Sequence, residues 1–178
     1  EPESAVLFGD GAAAAVLKRT PPGAASCVGP GHFATFSSGA ELTELVGGGT
    51  RHHPNDPATT REMNLFHMDG PAIFKKARRL LGPFLTQYWQ QSATAPAAYD
   101  WVVPHQASQH GLDFLAARCG FDAQRVLANL ATRGNCVAAS IPLLLTEAVY
   151  AGQIKRGERL LLLGSGAGLT LGALAVTF

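Results

Sequence analysis

With 178 residues the chain is long enough for one domain with a substantial core. Apolar residues make up 47% and charged residues only 15%, so much of the surface is expected to be covered, in part by a partner. A net charge of +1 offers no basic field to nucleic acid, and no apolar run reaches the roughly 20 residues a membrane helix needs.

The chain opens Glu1-Pro2-Glu3-Ser4, with neither Met nor a signal-peptide pattern, and is expected to be a cut into a longer protein. Residues 4–8 are short and apolar, and Gly9-Asp10-Gly11 then marks a bend or bulge that needs permissive dihedrals. A returning strand is expected over 27–36, followed by a polar loop over 37–64 rich in Gly, Pro and His. Asp69 and Pro71 open a helix over 72–91, whose Ile73, Ala77, Leu80, Leu81, Phe84, Leu85 and Tyr88 recur at helical spacing; Gly82-Pro83 should kink it. Trp101-Val102-Val103 is a short strand ending at Pro104-His105, with an amphipathic helix over 108–119 after it. A second short strand over 126–130 ends at Arg133-Gly134-Asn135, and a mostly apolar helix over 137–151 stops at Gly152. Two strands, 160–163 and 169–176, close the chain through the loop Gly164-Ser165-Gly166-Ala167-Gly168. Strands alternating with helices predict an α/β layered sheet. In such sheets ligands bind beyond the carboxyl ends of strands, and His105, Asn135 and the glycine loop all lie at strand ends.

Other chemistries fare worse. The glycine loop lacks the Gly-x-Gly-x-x-Gly spacing and precedes a strand, so no helix amino terminus faces a phosphate. Cys27, Cys119 and Cys136 are an odd number without zinc-ligand spacing and read as reduced thiols in a cytoplasmic protein. Cys136 beside Asn135 invites comparison with thiol hydrolases, but it is expected to start a helix, and no local nucleophile signature surrounds it. His32, His52, His53 and His67 read as solvated loop histidines, and no metal site is expected. Lys75, Lys76, Arg78 and Arg79 form a basic cluster in which 75, 78 and 79 share a face: either a solvated face or a dock for a phosphate or an acidic partner.

Five ordered segments carry a resemblance. Val103-Pro104-His105-Gln106-Ala107-Ser108 and the run from Gly134-Asn135-Cys136 to Ser140-Ile141-Pro142 resemble the His and Asn motifs of 3-oxoacyl-(acyl carrier protein) synthase III, usually Pro-His-Gln-Ala-Asn and Gly-Asn-Thr-Ser-Ala-Ala-Ser-Ile-Pro. Leu7-Phe8-Gly9-Asp10-Gly11-Ala12 is similar to the Phe-Gly-Asp-Gly-Ala-Gly strand of that family. Met68-Asp69-Gly70-Pro71-Ala72-Ile73-Phe74-Lys75 resembles the start of its Met-x-Gly-x-x-Val-Phe-Lys helix, and the closing glycine-rich hairpin its last two strands. The resemblance implies a thiolase-like α/β fold. Residues 1–36 would be the closing strands of its N-terminal half, 37–64 a loop, and 65–178 the C-terminal half, a mixed sheet with helices.

It implies an acyltransferase of fatty acid biosynthesis, in which an acyl-CoA primer condenses with malonyl-(acyl carrier protein) with loss of carbon dioxide. His105 and Asn135 would stabilise the enolate as neutral donors, while the nucleophilic Cys lies upstream. No cofactor is implied beyond the CoA and carrier-protein thioesters that serve as substrates. The implied partners are the N-terminal half of the same enzyme and a second copy in a homodimer. Gly70, Phe74 and Ser108 would line the pantetheine tunnel, Ser165 would adjoin the acyl chain, and Lys75, with Arg78 and Arg79, would dock the carrier protein. Four positions depart from the family: Ser108 for Asn, His110 for a docking Arg, Ser165 for Phe, and Cys136 for Thr. These departures admit a divergent acyltransferase of secondary metabolism, and a non-catalytic acyl- or CoA-binding module is the reading from another class.

Overall fold

The computed structural model describes residues 5–178. Four strands form one mixed sheet in the order β1-β6-β5-β4, with β1 at Cys27–Gly39, β4 at Trp101–Pro104, β5 at Arg159–Gly166 and β6 at Gly168–Thr177. A separate two-stranded sheet pairs β2 (Thr43–Leu45) with β3 (Phe66–Met68) inside and beside the expected loop. β4 and β5 run parallel, with Val102 opposite Leu161, and this is the pairing that needs a helical crossover. The leucine run makes β5 central: Leu160, Leu161 and Leu163 are all buried, so both of its faces are covered. β6 alternates instead, burying Leu169, Leu171, Ala173 and Ala175 on one face.

Helix α1 (Gly70–Ser92) starts where the Asp69 carboxylate accepts the Ala72 N–H at 2.9 Å, with Pro71 in its first turn. It runs on through Pro83 without interruption and ends at Ala93, whose N–H donates to the Trp89 carbonyl and whose left-handed φ of 50° brings the Thr94 N–H to the same carbonyl at 3.2 Å. Its Phe84, Leu85 and Tyr88 pack on Leu161, Leu163, Leu171, Ala173 and Ala175, joined by Leu115 of α2 (Gln109–Arg118). Each such side chain removed from water contributes about 1.5–3 kcal/mol. A polar link lies inside this core, Tyr88 Oη to Tyr99 Oη at 2.7 Å, and burial followed by that bond raises the Tyr88 phenol above its ordinary value. On the opposite face α4 (Ser140–Tyr150) buries Leu144 and Ala148 against Val103, Leu127 and Leu160. The result is a helix–sheet–helix stack. Among the described residues, no helix is long and apolar enough to cross a membrane.

Three expectations change. The strand starting at Cys27 does not return along the opening segment: β1 pairs antiparallel with the last strand, Phe33 facing Gly172, and residues 9–26 form no regular element. Sheet pairing therefore joins 27–39 to the last strand of the chain. Of the opening run, Ser4 lies outside the described residues, and Phe8 forms a single bridge with Asn135. The expected strand over 126–130 is reduced to one parallel bridge, Val126 with Val102. Beyond Leu127, whose N–H donates to the Val102 carbonyl, the backbone donors are captured by a side chain, described below, and the chain turns into α3 (Leu130–Arg133). Finally, the glycine loop is mostly strand: β5 continues to Gly166 and β6 begins at Gly168, so only Ala167 lies between them.

Candidate active site

β4 delivers His105. Its backbone N–H donates to the Leu163 carbonyl at 2.8 Å, extending the β4–β5 ladder by one residue past Pro104. Burial holds the imidazole pKa below the ordinary 6.5, so the ring is neutral at pH 7 and carries one N–H. No described residue bonds to that ring, so both nitrogens are available to a ligand.

Asn135 arrives by a different route. It follows Gly134, which has φ 67°, and its backbone is held from both sides by the opening segment. The Asn135 N–H donates to the Leu7 carbonyl (2.8 Å), and the Gly9 N–H donates to the Asn135 carbonyl (3.1 Å). The approach is so close that a Cβ on Gly9 would run into the Arg133 carbonyl oxygen. The Asn135 side chain is oriented as well. Its Oδ1 accepts the Val137 N–H at 2.9 Å, which leaves the Nδ2 hydrogens without an acceptor among the described residues. Val137 itself has a left-handed φ of 50°, an uncommon conformation for a β-branched residue.

The two loops meet through Gln106, which is fully buried. Its Nε2 donates to the Pro104 carbonyl (3.0 Å), and its Oε1 accepts the N–H groups of Asn129 and Leu130 (3.1 Å each), the first free donors of α3. Glu147 on α4 accepts from Asn129 Nδ2 (2.7 Å) and Arg133 Nε (2.6 Å), and these bonds, Asn129 first, keep its carboxyl below the usual range. The third strand end lies alongside: a Cβ on Gly164 would touch Ile141 at 3.6 Å, at the start of α4. His105 thus adjoins the end of β5, and the Gln106 amide links its loop to the segment that leads to Asn135.

The profile of the family 3-Oxoacyl-[acyl-carrier-protein (ACP)] synthase III C terminal matches residues 89–178, His105 and Asn135 included. The chain belongs to the 3-oxoacyl-(acyl carrier protein) synthase III family. It is 34% identical over 172 residues to the beta-ketoacyl-[acyl-carrier-protein] synthase III of Desulfitobacterium hafniense, covering 96% of this chain and 51% of that one. It is 35% identical over 179 residues to beta-ketoacyl-[acyl-carrier-protein] synthase III 3 of Streptomyces coelicolor, covering 98% and 52%. The solved structure of the Thermus thermophilus synthase III superposes with a TM-score of 0.76 at 31% identity, covering 99% of this chain and 53% of that chain. The fold is accordingly thiolase-like, and the chain spans about half the length of the curated relatives it matches.

The other residues singled out for synthase chemistry are spread over the helices. Gly70 is the first residue of α1, and Phe74, one turn on, stacks edgewise on Phe114 and His110 of α2. The Ser108 hydroxyl is engaged as the amino-terminal cap of α2, accepting the Gly111 N–H at 3.2 Å. Ser165 is exposed in β5 opposite Leu171. Lys75 and Arg79 are exposed, whereas the Arg78 guanidinium lies over the rings of Phe74 and Phe114, 5.6 and 5.5 Å from their centres. Of the cysteines, Cys27 is exposed in β1, burial pushes the Cys119 thiol up to about 11, and Cys136 is buried with its Sγ donating to the Arg133 carbonyl. Two features of the site escape sequence reading, the Leu7–Gly9 clamp and the Gln106 link. Gly9 was legible as a special backbone position; a buried amide such as Gln106 has no local signal beyond its place in the His motif.

Proposed function

We propose that this chain supplies the decarboxylating part of a condensing enzyme, which joins an acyl group from acyl-CoA to malonyl-(acyl carrier protein) in fatty acid biosynthesis. The observation that carries the reading is the state of the two donors. Asn135 is oriented through its oxygen with its Nδ2 hydrogens free, and His105 is kept uncharged by burial. Two neutral, fixed donors suit an oxygen that becomes negative only during reaction. As the bond from Cα to the malonyl carboxylate breaks, carbon dioxide leaves and the electron pair moves into the thioester, forming an enolate. The His105 N–H and the Asn135 amide hold the enolate oxygen. The carbanion form then attacks an acyl thioester carbonyl, a carbon–carbon bond forms, and the thiolate that carried the acyl group departs.

That thiolate belongs to a cysteine outside these 178 residues. The burial of Cys136, the raised thiol pKa of the half-buried Cys119 and the place of Cys27 on β1 support this assignment, as does the half-length span of the chain against its relatives. The N-terminal half of the fold and a second copy complete the enzyme in the cytoplasm. Lys75 and Arg79 offer exposed charge to the acidic carrier, with Gly70, Phe74 and Ser108 along the path of its pantetheine arm. The exposed Ser165, where the family resemblance implies an aromatic, favours one variant of this reading: an acyltransferase of secondary metabolism with a wider primer range.

The test separates the half-reactions in the full-length protein. His105→Ala or Asn135→Ala should slow carbon dioxide release from the malonyl thioester by about 100-fold or more, the scale for losing one oxyanion donor. Acylation of the nucleophile should stay near its original rate. Equal loss of both half-reactions would refute the assigned roles.

A further inference from the structure

We propose that Gln106 is a positioning residue that sets the separation of the two donors. The proposal rests on the His105/Asn135 reading above. Gln106 follows His105 directly and has no solvent exposure. One end of its amide is tied to the Pro104 carbonyl, at the root of the His105 loop. The other end receives both N–H groups that open α3. That turn is rigid: the Thr132 and Arg133 N–H groups donate to the Asn129 carbonyl (3.0 Å each), and the Gly134 N–H donates to the Leu130 carbonyl at 2.8 Å. Asn135 comes immediately after it. A single side-chain amide therefore connects the residue before His105 to the beginning of the segment that ends in Asn135.

Alternative routes between the donors are longer. Backbone pairing reaches only as far as the Leu127 N–H on the Val102 carbonyl, before the chain turns away. The Glu147 contacts tie Asn129 and Arg133 to α4 and do not reach the His105 loop. Chemistry also explains why the residue is an amide. The position must donate to a carbonyl and accept from two N–H groups while remaining uncharged where the side chain is fully buried. An amide meets all three demands, a carboxylate fails the first, and a hydroxyl is too short to span the gap. An unmet buried donor at Asn129 or Leu130 would open α3 and carry Asn135 with it.

Gln106 touches no reacting atom in this scheme, so its removal should alter placement and leave recognition alone. Gln106→Met keeps length and volume but forms none of the three bonds. In the full-length protein it should lower kcat for malonyl decarboxylation by about 30- to 100-fold, the scale for a donor misplaced by an ångström. KM for the malonyl thioester should move less than about threefold, and acylation of the nucleophile should be retained. Gln106→Glu, held neutral by burial at this position, keeps the two acceptor bonds and can donate its carboxyl proton to the Pro104 carbonyl, so it should recover part of the lost kcat. Comparable unfolding midpoints for wild type and the Glu variant would show that the comparison is between folded enzymes.

A Met variant with decarboxylation within about twofold of wild type, beside impaired His105→Ala and Asn135→Ala variants, overturns the positioning role and spares the donor reading. Equal loss of acylation and decarboxylation in both Gln106 variants overturns it too, because the residue would then be merely structural. If His105→Ala and Asn135→Ala themselves decarboxylate normally, the donor reading fails and takes the positioning role with it.

Discussion

His105 and Asn135 are held in unlike ways. His105 is one residue beyond a strand paired with β5, and the ladder itself places it through the bond to the Leu163 carbonyl. Asn135 has no strand behind it. It depends on the Gln106 amide at one end of α3 and on the backbone of Leu7–Gly9 at the other. A donor carried by a sheet is lost when the sheet is lost. A donor carried by loop contacts is lost one contact at a time, while the fold persists. The difference predicts that substitutions remote from the chemistry will damage the Asn135 side far more than the His105 side.

The strongest such break is at Gly9. A methyl group there meets the Arg133 carbonyl, so the two backbones must separate and both bonds that grip Asn135 must lengthen. Gly9→Ala should cut decarboxylation by about 100-fold, measured as carbon dioxide release by the full-length enzyme. The unfolding midpoint should fall much less, since 9–11 lies outside the main sheet. Decarboxylation near the wild-type rate would show that Asn135 is fixed from the Gln106 side alone.

Acid sharpens the contrast from the His105 side. The native imidazole takes its proton at a pH below 6.5, and the unfolded chain takes it at the ordinary value. Between the two the unfolded state binds more protons, so stability falls as pH drops and is complete above 6.5. The donor pair also becomes charged on protonation, so decarboxylation should decline through the same window. His105→Gln should flatten the stability profile from pH 7.5 to 5 in denaturant titrations; an unchanged slope would assign it to another group. Asn135→Ala should leave that slope intact.

The smallest effect is expected at Val137. Its left-handed backbone costs about 1–2 kcal/mol in a β-branched residue, and its side chain is 60% exposed, so little packing opposes replacement. Val137→Gly relieves that strain and adds chain entropy to the unfolded state, worth up to about 1 kcal/mol. The net change in stability should lie within about 1 kcal/mol and toward stabilisation, read from the denaturant midpoint. A loss of several kcal/mol would mean that the side chain is held by packing and not merely tolerated.

What could be read from the sequence follows the same division. His105 was legible because strand, Pro104 and helix succeed one another locally, and local pattern is what a sequence carries. Asn135 was legible only through its motif. The strand expected before it fails because Gln106, over twenty residues upstream, takes the Asn129 and Leu130 N–H groups that strand pairing would have used. Ser108 shows how one position serves two readings: its hydroxyl satisfies α2 first, whatever else passes by. β1 was recognisable as a strand, but its partner was not, since Cys27 pairs with Thr177 at the far end of the chain.

That pairing has a consequence for how the domain is made. During synthesis β1 emerges long before β6, the strand it pairs with. Closing so long a loop is thermodynamically mild, about 0.6 kcal/mol for each doubling of length, but it is late, and pairings distant in sequence form slowly. β5 and β6, separated by Ala167 alone, can zip together first and offer a finished edge for β1 to join. Until then Val28 and Phe33, which remain 60% and 69% exposed even in the folded chain, stand in an unpaired strand. The nascent domain therefore passes through a stage in which this apolar strand has no partner, and the natural clients of a ribosome-associated chaperone are segments of this kind.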